Sequence, residues 1–178
     1  MKKSPENTKI VQSDHPALRE KAQVIALKDI SSLKIKEVIK NMQKVLALEK
    51  DGVAIAAPQI GEALRIFLVS DRIMKLADKK YKSIGKDLIF INPEITKLSK
   101  SQHEVEEGCL SVRWKYGKIK RATKVSIRGY DETGKLVERG ASGLLAQVFQ
   151  HETDHLDGIL FIDKAYNIED LPPEKTHE

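Results

Sequence analysis

His151-Glu152-Thr153-Asp154-His155 lies inside the longer run from Ser142 to Asp157, and the reading of that run decides what kind of chain this is. Leu144, Leu145, Val148, His151, Glu152 and His155 recur at helical intervals, as in an α-helix with one face turned inward. Ser142 stands where an N-cap belongs, Gly158 where a left-handed residue would end the helix, and no proline interrupts. Two histidines four apart then lie one turn from each other, so both imidazoles can reach one metal ion. Leu144 and Val148 share their stripe, so the imidazoles are expected to face the interior. Glu152, beside the first histidine, can act on water at such an ion without being a ligand. Two ordinary histidines on an amphipathic helix are the plainer alternative, and the motif in its helical context speaks against it.

A catalytic site of this type keeps three protein ligands and one open position. The extended pattern H-E-x-x-H-x-x-G-x-x-H ends here in Phe161, which cannot ligate. Glu169 and Glu174 lie downstream, but Leu171-Pro172-Pro173 and the nearby terminus leave no room for a second packed helix. Cys109, in Glu107-Gly108-Cys109-Leu110-Ser111, is the remaining strong candidate, because thiolate binds soft and borderline metals well. As the sole cysteine it excludes an intramolecular disulfide and fits a reducing compartment.

Three segments in order, Gly52-Val53-Ala54-Ile55-Ala56-Ala57-Pro58-Gln59, Glu107 to Ser111 and Gln150 to His155, resemble the motifs of the peptide deformylase family. Weaker similarity runs from about Asp14 to Asp163. The resemblance implies a metal-dependent hydrolase that removes the formyl group from the N-terminal formyl-methionine of new proteins and releases formate. It implies Cys109, His151 and His155 as metal ligands and Glu152 as the catalytic acid/base. It implies Gln59 and the backbone N–H of Leu110 as the oxyanion donors, and Ala54, Ile55, Gly108 and Val148 as substrate-binding residues. One divalent ion is implied, natively Fe2+, with zinc, nickel or cobalt able to take its place. Nascent N-formylmethionyl polypeptides are the implied partners. Read alone, Gln59 would be a solvated loop residue, and the loop from Gly52 to Gly61 lacks the G-K-[ST] ending of a phosphate loop. Two positions depart from the family pattern: Ala54, where glycine is usual, and Arg113, where proline is common. They bear on substrate and inhibitor fit, not on the reaction.

At 178 residues and 40% hydrophobic, the chain suits one compact domain over residues 1–178 with polar tails. Its polar start resembles no signal peptide and no stretch suits a membrane span, so the cytoplasm is the expected location. The net charge is +5, and Arg113, Lys115, Lys118, Lys120, Arg121, Lys124 and Arg128 follow one another without an acid, with Trp114 and Tyr116 interleaved. Such a run can be a nucleic-acid surface, but a solvated hairpin face is the better reading. Weak ribosome contact would suit an enzyme of nascent chains; specific DNA binding is not expected. Two further readings stay open: a metallopeptidase of another type, and a basic RNA-binding protein with a structural metal. A closed structural site needs a fourth ligand, and this chain has three in register.

The fold class expected is α+β, with antiparallel sheets packed around the C-terminal helix that carries the metal motif. Ser31 or Ser32 can cap a helix with an apolar stripe of Ile35, Val38, Ile39, Met42, Val45 and Leu46, ending near Gly52. Strands are expected at Leu64 to Ser70, at Leu88 to Asn92 with Pro93 as the stop, and at Lys124 to Tyr130 and Lys135 to Arg139 around Asp131-Glu132-Thr133-Gly134. Asp71 to Lys86 reads as a solvated, lysine-rich insertion with some helical character around Ile73, Met74 and Leu76. No long C-terminal helix is expected after Asp163, and the last residues read as disordered.

Overall fold

The computed structural model describes residues 9–77, 81–83 and 85–173. Helix α1 (Leu33–Leu48) starts where Ser32 Oγ accepts the Ile35 N–H at 3.4 Å, and it buries the six-residue apolar stripe named above. It ends at Leu48, short of Gly52, because Glu49 turns extended. Gly52 answers a packing demand instead: a Cβ there would come within 2.8 Å of Leu46 Cδ1.

Strands β1 (Ala54–Ala56), β2 (Ile66–Val69) and β3 (Leu88–Leu98) follow, with helix α2 (Asp71–Ala77) between the last two. Then come β4 (Gln102–Cys109), β5 (Val112–Ala122), β6 (Lys124–Tyr130), β7 (Leu136–Ser142), helix α3 (Gly143–Leu156) and β8 (Tyr166–Asp170). The named strands pair antiparallel throughout, in a five-stranded sheet ordered β1-β2-β3-β6-β7 and a three-stranded sheet ordered β4-β5-β8. This is the α+β class expected, with few helices and α3 at its centre.

β2 shows why the site has rigid walls. Its residues alternate between two cores: Ile66 and Leu68 pack with α1, whereas Phe67 and Val69 pack with Phe90, Val148 and Phe149 on the α3 side. Phe90 and Phe149 meet edge to face, centroids 5.5 Å apart. Both faces of the sheet centre are therefore dry. Side chains such as these contribute roughly 1.5–3 kcal/mol each by burial, which holds α3 and its histidines in one position.

Three expectations need correction. Pro93 does not end its strand. β3 runs on to Leu98, and the ladder to β6 shifts register between Ile91 and Glu94, so a bulge absorbs the missing amide. Asn92 sits there with φ 51°, its side chain bonded to both the N–H and the carbonyl of Ile25 at 2.9 and 2.7 Å. The segment after Asp71 is no simple solvated excursion, because Ile73 and Met74 on α2 are buried in the α3-side core. After Asp163 the chain forms β8, which closes the second sheet against β5. The basic run is for the most part the solvated, paired face preferred for it, and only Arg121 departs from that reading. Arg113 pairs with Glu49 and Asp51, Lys115 with Asp170, Lys118 with Glu104 and Arg128 with Glu94, all acids from other segments. Arg121 is not on the surface at all. The polar N-terminal start and the tail expected to be disordered, residues 1–8 and 174–178, lie outside the described residues.

Candidate active site

The β4–β5 hairpin and α3 bring Cys109, His151 and His155 together, and their ligand atoms all lie within 4.8 Å of one another. Cys109 Sγ is 3.3 Å from His155 Nε2. Helix α3 has the period expected, with Gly158 just past it at φ 74°. Ser142 occupies the N-cap position without bonding the first turn, and Leu144 stays half exposed rather than joining the interior stripe.

The two histidines are prepared differently. Glu107, held on β4, takes a hydrogen bond from His151 Nδ1 at 2.8 Å, which leaves Nε2 as the atom aimed at Cys109 and His155. Arg121 grips both oxygens of Glu107 at 2.8 and 2.9 Å and Asp154 at 2.6 Å, and Lys164 reaches Asp154 from outside at 2.9 Å. Burial would raise the Glu107 carboxyl, but the bonds from His151 and Arg121 outweigh it and hold it at about 2. His151 is pulled well above its ordinary range: burial opposes this, and its bonds to Cys109 and Glu107 win. His155 goes the other way, driven down by burial and by the charge of His151. The field between Cys109 and Glu107 thus favours positive charge, and His155 offers a neutral imidazole. One cysteine sulfur and two imidazoles in such a field fit one divalent cation, and the same donor set suits iron, zinc, nickel or cobalt.

Glu152 lies beside them, 4% exposed, and its Oε2 is buried with no hydrogen-bond partner among the described residues. Burial, only partly offset by the charge of His151, pushes its carboxyl up to about 7. A carboxyl poised there can both take and give a proton near neutral pH. Gln59 is no solvated loop residue. Its Oε1 accepts the Ala56 N–H at 2.8 Å, which turns Nε2 toward Ser111 Oγ at 3.3 Å and Cys109 Sγ at 3.6 Å.

These groups open into a cleft of about 260 Å³ lined by Ala54, Gln59, Gly108, Leu110, Val148 and Glu152, among others. Gly108 has a packing reason to be glycine, since a Cβ would meet the Tyr116 ring at 2.6 Å. Ile55 does not line the cleft. Its side chain is fully buried toward α1, so only its backbone can serve substrate. The motif reading passed over Arg121 and Asp154. Asp154 lies within the histidine pentapeptide, but nothing in the linear order marks Arg121 as its partner.

The family model for polypeptide deformylase matches residues 7–170. The chain belongs to the polypeptide deformylase family. A peptide deformylase of Halothermothrix orenii is 42% identical over 154 residues, covering 86% of this chain and 90% of its own length. The chloroplastic/mitochondrial peptide deformylase 1A of Arabidopsis thaliana is 37% identical over 92% of this chain, which spans 63% of that longer relative. The peptide deformylase of Synechococcus elongatus in complex with actinonin superposes with a TM-score of 0.78 at 29% identity, over 92% of this chain and 83% of that one. The function is therefore metal-dependent deformylation of N-formylmethionine on nascent peptides, and nothing favours an internal peptidase or an RNA-binding protein. Among the described residues no helix is long and apolar enough to cross a membrane.

Proposed function

We propose that Cys109, His151 and His155 hold one divalent ion, Fe2+ in the native enzyme, and that Glu152 moves the protons of the hydrolysis. The observation that carries this reading is the donor set gathered within 4.8 Å beside a buried, unpartnered carboxylate oxygen. A divalent ion in such a site acidifies water and polarises a carbonyl oxygen. Among the described residues β1 pairs with β2 alone, so its other edge can take the substrate backbone as an added strand, through main-chain groups at Ala54 and Ile55. Val148, Gly108 and the Ala54 methyl would then wall the methionine side chain. Gln59 Nε2 and the Leu110 N–H donate to the formyl oxygen as it gains negative charge. Glu152 removes the proton of the attacking water and delivers it to the departing amine nitrogen, leaving formate and a free N-terminus.

The unpaired thiol of Cys109 supports a cytoplasmic site of action. The net charge of +5 supports weak, salt-sensitive attraction to ribosomal RNA, where the substrates emerge. The test is formate release from formyl-Met-Ala-Ser by protein purified without oxygen, with metal content measured on the same sample. Turnover that tracks iron content is expected. No formate from protein with a filled site would overturn the reading.

A further inference from the structure

The bulge Arg113-Trp114-Lys115 at the mouth of the cleft has no part in the reaction described above, yet it is the most heavily braced piece of irregular backbone near the site. In the β4–β5 ladder Gly108 faces Tyr116, whereas Cys109 faces Val112, so these three residues of β5 stand out without partners on β4. Trp114 takes φ 64°, a left-handed conformation that strains a bulky residue and that a glycine would adopt freely. The surroundings hold it there from three sides. Leu171 N–H donates to the Trp114 carbonyl at 2.8 Å, and Lys115 pairs with Asp170 at 2.8 Å. Arg113 pairs with Glu49 and, at 3.1 Å, with Asp51 across the mouth. Its guanidinium also lies 5.0 Å from the centre of the Trp114 ring.

An aromatic ring kept 38% exposed on a strained backbone is a poor choice for stability alone. It lines the same cleft as Glu152, and the half-exposed Leu144 lines that cleft as well. We propose that Trp114, braced by Arg113, is a specificity-determining residue that binds apolar or aromatic side chains downstream of the formyl-methionine, at the second or third position of the peptide. This rests on the deformylase reading: a peptide whose formyl end sits at Glu152 must leave through the mouth of the cleft, where Trp114 stands. The Arg113 fork fixes the ring, so little rotamer freedom is lost when a peptide side chain packs on it.

Two measurements test this. With formyl-Met-Xaa-Ser and formyl-Met-Ala-Xaa peptides, Phe or Leu at one of the two positions should exceed Asp or Ser there by about tenfold in kcat/KM. The difference should lie in KM. Trp114→Gly relieves the backbone, so it should fold with a Tm at or above wild type, and it should flatten the preference to about twofold or less. Trp114→Phe should keep most of it. Trp114 is also the sole tryptophan, so its emission reports the site directly. In metal-loaded Glu152→Ala protein, formyl-Met-Phe-Ser or formyl-Met-Ala-Phe should shift that emission to the blue more than formyl-Met-Ala-Ser does. Formate release with no preference, a preference that survives in Trp114→Gly, or an emission unmoved by saturating peptide overturns the proposal alone. No formate from any formyl peptide overturns the deformylase reading, and this proposal with it.

Discussion

Arg121 and Arg128 stand on consecutive strands of different sheets, belong to the same acid-free run of sequence, and live in opposite environments. The Arg121 side chain is 6% exposed and holds Glu107 and Asp154 beneath the histidines, whereas that of Arg128 is 49% exposed and pairs with Glu94 in open water. The physics of the two pairs differs accordingly. In water, screening and side-chain entropy reduce an ion pair to a small contribution. In the interior, desolvation makes an unpaired charge expensive, so Arg121 needs both of its acidic partners, Glu107 and Asp154. The run is therefore one feature in the sequence and two in the molecule: a brace under the metal ligands and a solvated rim.

The sharpest break in this contrast is expected from the carboxyl that has no brace. Glu152→Ala should keep metal near wild-type occupancy yet lower kcat by about 10²–10⁴-fold, as for loss of a general acid/base. Steady-state kinetics with metal analysis on one sample checks this, and a metal-free variant would make Glu152 a ligand instead.

Next comes the brace itself. Arg121→Met leaves the buried Glu107 with His151 alone and the partly buried Asp154 with Lys164 alone, so a loss of about 3–5 kcal/mol in denaturant unfolding is expected, with metal affinity down about 10–100-fold. A loss under 1 kcal/mol would erase the distinction between the two arginines.

Arg128→Ala should cost less than about 1 kcal/mol and leave metal content and turnover at wild-type levels. Its Tm should fall slightly at low salt and hardly at all at high salt.

The smallest effect belongs to the β6–β7 turn, beyond Arg128. Burial opposes ionisation of Asp131, but the bonds from Thr133 and Lys135 together outweigh it and lower its carboxyl below the usual 3.8. A lowered pKa means the turn gains stability when Asp131 is ionised. That gain is complete above the usual value and disappears as the pH falls below it through the lowered one. Amide exchange at Thr133 and Lys135 should therefore speed up on acidification relative to the rest of the hairpin, and Asp131→Ala should abolish the difference.

Much of the site was legible because its residues sit close together in the chain. The helical period places His151, Glu152 and His155 on neighbouring turns by geometry alone, and the three motifs in order carry Cys109 and Gln59 with them. The apolar stripe of α1 and the hairpin around Gly134 were legible for the same reason, since period and turn chemistry are local. Sequence by itself determined the family, the α+β class and which residues gather at the candidate site.

Tertiary structure alone decided the rest. Arg121 meets Asp154 and Glu107 only after β5 folds against α3 and β4, and its charge means nothing until burial gives it a price. Pro93 ends a strand in isolation, but here a bulge anchored by Asn92 carries the strand past it. Ile73 and Met74 looked like part of a polar excursion until the α3-side core supplied their neighbours. Trp114 became a functional candidate only when the strand register showed a bulge at the mouth of the cleft. Desolvation, register and long-range pairing depend on which distant segment arrives, and local sequence does not encode that.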